Sequence, residues 1–83
     1  MEKKQKYLEF LNQNETDDES FQKAVVEGQN LLGLSDRQIA REMMITLPTY
    51  KRWKEGKNFP HEYMRPGVLN FFKNKIQTQQ KEK

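Results

Sequence analysis

The apolar residues of this chain fall at the three-and-four spacing of helix faces, and no sustained alternation of the kind a half-buried strand requires is present. Pro and Gly are absent before Gly28. That spacing confines the 83-residue chain to packed helices. Its length confines it to one domain, since a core of this size buries only about two-thirds of the unfolded surface. Leu, Ile, Val and Phe together number 18 of 83, just above the level of roughly 20% below which disorder is the default. The core must therefore be small, with little room for an enclosed substrate cavity.

Tyr7, Phe10 and Leu11 mark one face of a first helix near residues 3–13. The polar run from Asn12 to Asp18 breaks it. Thr16-Asp17-Asp18-Glu19 matches a capping box, in which hydroxyl and carboxylate each satisfy an orphan backbone N–H. Phe21, Ala24, Val25 and Leu32 predict a second helix to about Leu32. Gly28 inside it costs roughly 1 kcal/mol relative to Ala, which a close helix contact would justify. Gly33 supplies a left-handed stop, followed by the hydrophobic Leu34.

Ser35-Asp36-Arg37-Gln38 is a second capping box, opening a helix with Ile39, Ala40 and Met43 inward. After the Met44-Ile45 connector, Thr46 caps the next helix. Pro48 falls in its first turn and has no N–H, so Thr46 must cap through the amide of Thr49. Tyr50 and Trp53 share one face, and Gly56 ends the helix. Lys57 to Pro60 reads as a loop, with a short turn around Glu62–Met64. A last helix starts near Pro66, with Val68, Leu69, Phe72 and Ile76 inward. The fold class is all-α, with four to five short helices. Residues 1–16 form an N-terminal helical extension, 17–76 the domain, and 77–83 a frayed polar tail.

The chain has no Cys, which excludes disulfides, thiolate zinc sites and a cysteine nucleophile. A single His61 excludes a multi-histidine metal cluster. The acids Glu15, Asp17, Asp18 and Glu19 lack the glycine and second carboxylate set of a calcium loop and read as a helix cap. No Gly-rich phosphate loop, nucleophile–base set or paired-carboxylate site can be assembled, so neither an enzyme nor a cofactor is expected. No apolar stretch approaches the length of a membrane span or a signal-peptide core, and a cytoplasmic protein is expected. The net charge of +3 divides unevenly. Residues 1–33 carry −3 and residues 34–83 carry +6.

Two short helices, Ser35–Met43 and Thr46–Glu55, joined by about three residues have the layout of a helix-turn-helix, whose second helix enters a DNA major groove. At about 100° per residue, Tyr50, Trp53 and Lys54 fall on one side of that helix. Pro48, Lys51, Arg52 and Glu55 fall on the other. A basic face opposite an aromatic core face suits an anionic groove. Arg37 and Arg41 on the preceding helix add charge four residues apart, and Lys54 and Lys57 extend it.

The run Leu34-Ser35-x-x-x-Ile39-Ala40-x-x-x-x-Ile45-Thr46-x-x-Thr49-Tyr50-x-Arg52-Trp53-x-x-Gly56-x-x-x-Pro60 resembles the helix-turn-helix of phage Cro and repressor proteins, the XRE type. The match is gapless over Leu34–Pro60, about a third of the chain. It implies a lambda-repressor-like five-helix domain over residues 17–76, with Ile39, Ala40, Ile45, Tyr50 and Trp53 in its core. It implies base contacts from Leu47, Pro48, Lys51 and Arg52. Ser35, Arg37, Arg41, Thr46, Thr49, Glu55 and Lys57 would contact the DNA backbone.

Four positions depart from the family. Met44 replaces the turn glycine. Asp36 stands where Gln is common, and an acid there would repel a phosphate. Leu47 and Pro48 stand where Gln is also common, which leaves them only apolar contacts, for instance with a thymine methyl. The function so implied is sequence-specific double-stranded DNA binding by a small transcriptional regulator of repressor type, as a homodimer on a two-fold operator. The alternative is a protein-interaction module, antitoxin-like or an adaptor, gripping a partner through the N-terminal helix.

Overall fold

Five α-helices and one 3-10 turn, with no strand among the described residues, carry the chain in the computed structural model, which describes residues 2–12 and 17–81. The helices are α1 (Glu2–Leu11), α2 (Asp18–Leu32), α3 (Asp36–Met43), α4 (Leu47–Glu55) and α5 (Arg65–Lys81), with the 3-10 turn at Glu62–Met64. The fold is therefore all-α, as the apolar spacing predicts. No helix among the described residues is long and apolar enough to cross a membrane.

The longest inward face belongs to α2, and the domain is built around it. Phe21, Ala24, Val25, Gly28 and Leu32 are all buried. They recur at the spacing that keeps residues on one stripe of a helix. Against this stripe pack α1, α4 and α5, while α3 packs on α4. Ile39 and Ala40, Tyr50 and Trp53, and Leu69, Phe72 and Ile76 complete the core from α3, α4 and α5. The Phe21 ring meets Trp53 and Phe59 edge-on, at centroid distances of 5.8 and 5.9 Å.

α1 shares this core. Tyr7 and Leu8 are buried, whereas Phe10 and Leu11, two of the three residues expected to lead, pack from its edge. Tyr7 crosses α2 at Gly28. A Cβ built on that glycine would lie 2.6 Å from Phe72 Cδ1 and closer still to the Tyr7 hydroxyl. The glycine is thus what lets α1 and α5 approach α2 together. The Tyr7 hydroxyl donates to the Ala24 carbonyl at 2.6 Å. Burial, then the charge of Glu27, pushes its pKa well above the ordinary tyrosine value.

Two helix ends differ from the sequence reading. Asp17 caps α2, accepting from the Ser20 amide at 2.8 Å. This moves the cap one residue past the expected Thr16, which lies outside the described residues, as does Glu15. α5 begins at Arg65 and continues to Lys81, past the Gln77 boundary expected for a frayed tail. A helix already nucleated by its core residues adds further turns at little cost, even without apolar ones.

Candidate nucleic-acid interface

Each end of α3 and α4 has a local cause in the sequence. Ser35 and Gln38 form the full reciprocal capping box at the start of α3. At its end Met44 takes φ 62°, the only left-handed non-glycine among the described residues. The Met44 amide bonds to the Arg41 carbonyl at 3.1 Å and the Ile45 amide to Ala40 at 3.0 Å. This closes α3 in the way a glycine usually does. Ile45 packs against the core. Met44 thus reproduces the expected glycine geometry without reshaping the turn. Thr46 then caps α4, accepting from the Thr49 amide at 3.2 Å, as the missing N–H of Pro48 requires. Gly56, at φ 77°, ends α4.

A polar chain fixes the angle between the two helices. The Tyr50 hydroxyl donates to Gln29 Oε1 at 2.8 Å. Gln29 Nε2 donates to Asp36 Oδ1 at 2.8 Å and to the Leu34 carbonyl at 3.0 Å. Lys54 Nζ reaches the same Asp36 oxygen at 2.6 Å. Gln22 Nε2 donates to the Lys54 carbonyl at 2.7 Å. Lys54 chiefly, then Gln29, holds the Asp36 carboxyl below the usual aspartate range. Tyr50 is shifted upward by burial and then by the Asp36 charge.

Two sequence expectations change here. Asp36 is not a bare acid facing solvent but the acceptor that joins α2, α3 and α4. Lys54 is its partner and no longer extends the free basic face. Sequence reasoning missed Gln22 and Gln29. The available signal was a glutamine at position 29, polar yet four residues after Val25 and three before Leu32 on the buried stripe of α2.

The opposite side of α4 is open. Pro48, Lys51, Arg52 and Glu55 are exposed, as are Ser35, Arg37, Arg41, Thr46 and Lys57. Leu47 and Thr49 are half-buried, and Leu47 rests one side on the core. Arg37, Arg41, Lys51 and Arg52 take part in none of the four ion pairs among the described residues. Glu55 and Lys57 face each other at 3.5 Å, an exposed pair of little energetic weight.

Arg65 was also missed. It is buried to 8% exposure, donates to the Pro60 carbonyl at 3.0 Å, pairs with Asp18 at 3.1 Å and lies over the Phe21 and Phe59 rings. It pins the loop after α4 to the start of α2. His61 stands exposed in that loop, and its ring lies 4.3 Å from that of Tyr63.

Arg37 and Arg41 on α3 and Lys51 and Arg52 on α4 are thus exposed cations outside these ion pairs. Compared with family models, curated proteins and solved structures, the chain matches none of them.

Proposed function

We propose that the protein is an XRE-type, lambda-repressor-like regulator that binds double-stranded DNA by placing α4 in the major groove. The observation that carries this reading is the free basic face. Lys51 and Arg52 stand exposed on α4, with Arg37 and Arg41 on α3, and none of them is committed to an internal ion pair. Desolvating a committed lysine such as Lys54 would break an existing pair, whereas these four meet phosphate or base edges without breaking one; Lys51 also acts at longer range on Asp36, whose carboxyl it helps to hold down. Lys51 and Arg52 read guanine O6 and N7. Arg37 and Arg41 supply phosphate attraction through counterion release. Ser35, Thr46 and Thr49 sit at the two helix starts, near the path of the backbone. One such module offers few base contacts, so a homodimer on a two-fold site supplies the remaining specificity.

Selection of bound fragments from randomised duplex DNA tests this. A defined motif, palindromic for a dimer, is expected from the unmodified protein. Recovery of random sequence would refute it.

The second reading is a protein-interaction module, and one observation favours it. A half-open groove of about 470 Å³ lies between α1 and α2. Phe10, Tyr7 and Leu31 line it, with Lys3, Lys6 and Lys23 among its charged residues. Lys23 Nζ lies 5.4 Å from the centre of the Phe10 ring. On this reading Phe10→Ala abolishes partner capture and leaves DNA selection unaffected.

A further inference from the structure

The leading end of α4 carries two apolar side chains, Leu47 and Pro48, between two threonines whose hydroxyls are engaged with each other. The Thr46 and Thr49 hydroxyls lie 2.7 Å apart and bond each other. Thr46 Oγ1 also accepts the Thr49 amide. Between them stand Leu47, half-buried, and Pro48, exposed. Pro48 lacks even an amide hydrogen. It lies three and four residues before Lys51 and Arg52, hence on the same side of the helix.

Resting on the DNA reading above, we propose that Leu47 and Pro48 recognise the 5-methyl group of a pyrimidine, adjacent to a guanine read by Lys51 or Arg52. In the major groove the base edges offer hydrogen-bond donors, acceptors and flat C–H positions, and the C5 methyl is the one apolar group that projects from them. An apolar pair set against a purine N7 or a cytosine amino group would strip it of water and return no hydrogen bond. The same pair against a methyl buries apolar surface on both sides. The α4 head therefore both selects the methylated pyrimidine and rejects polar edges. The specificity so defined is for thymine, and equally for 5-methylcytosine in a matching position.

The test takes the motif selected from randomised duplex DNA and replaces each thymine singly by uracil, which removes only the methyl. At one or two positions per half-site the affinity is expected to fall about fourfold, the effect of one buried methyl. In Pro48→Ala or Leu47→Ala that loss shrinks to under about twofold, because the apolar partner is gone. In Lys51→Ala it persists. Pro48 is a surface residue, so its variant keeps the fold, and a thermal melt checks both proteins. A motif whose affinity is indifferent to methyl removal overturns the inference and leaves DNA binding standing. A methyl effect unchanged in both apolar variants overturns it too. Failure to select any motif overturns the DNA reading itself, and this inference with it.

Discussion

Met44 holds φ at 62° while its side chain is 89% exposed. It takes up a left-handed backbone and gains no packing in return. For a non-glycine residue that conformation costs roughly 1–2 kcal/mol. Met44→Gly is expected to stabilise the protein by about 0.5–1 kcal/mol, part of the relief being offset by the greater freedom of glycine in the unfolded chain. The check is a rise in the denaturant midpoint at constant slope. A lower midpoint would show that Met44 makes contacts worth more than the strain. Gly28 has the opposite sensitivity. Its Cβ would enter space held by Tyr7 and Phe72, so Gly28→Ala is expected to cost about 1–3 kcal/mol through overpacking, despite the better helix propensity of alanine.

Asp36 adds a pH dependence at the same scale. Its carboxyl is held below the usual range by Lys54 and then Gln29, and that of Asp17 by the Ser20 amide and side chain. In both cases the unfolded chain binds the proton at higher pH than the folded one does. Their contribution is thus complete above the unfolded carboxyl value, about 4, and is lost as pH falls through the folded value. Stability measured from pH 6 downwards is expected to fall on this limb, and Asp36→Asn to flatten it. An unchanged acid limb in that variant would mean that the Lys54 contact carries no linkage.

At the scale of the elements, the sequence showed most of what the helices do. Ser35, Thr46, Gly33 and Gly56 each act at the helix end where capping chemistry puts them. The missing N–H of Pro48 sufficed to predict the Thr49 amide as the Thr46 partner. The buried stripe of α2 was legible because its apolar residues repeat over three turns. α1 has fewer than three turns, and with so few residues its inward face was placed slightly off, so Leu8 went unnoticed. The polar chain through Gln29, Asp36, Lys54 and Tyr50 was hidden for a different reason. It joins three helices, and no local pattern reveals which polar side chains meet across them.

That chain sets how α4 stands on α2. Lys54→Met, which keeps the stem and removes the charge, is expected to weaken DNA binding at all sequences by loosening α4, with the selected motif unchanged. Arg37→Ala and Arg41→Ala are expected to lower affinity uniformly as well. If, as proposed, each arginine meets one phosphate, each variant should in addition reduce the slope of log affinity against log salt by about 1. The salt slope thus separates a phosphate contact from a positioning contact.

Taken whole, the molecule is one small core with two unequal surfaces. The first helix belongs to that core through Tyr7 and Leu8, and Tyr7→Ala is expected to cost about 3–5 kcal/mol, as for other large aromatic residues removed from a core. The charge follows the same division. The first two-fifths of the chain is acidic, and the remainder is basic around α3 and α4. Pairing of Asp36 with Lys54, and of Glu42 with Lys75 at 2.6 Å, consumes acids that would otherwise oppose the free arginines and lysine.

On the proposed DNA reading, Lys51 and Arg52 of α4 read base sequence. Affinity of the Lys51→Ala, Arg52→Ala double variant for the selected motif and for a scrambled duplex, measured at one salt concentration, tests it most directly. Discrimination between the two duplexes is expected to fall by about 1–6 kcal/mol, the sum of one or two bidentate base contacts, with weak scrambled binding retained through Arg37 and Arg41. Discrimination equal to that of the unmodified protein would contradict it.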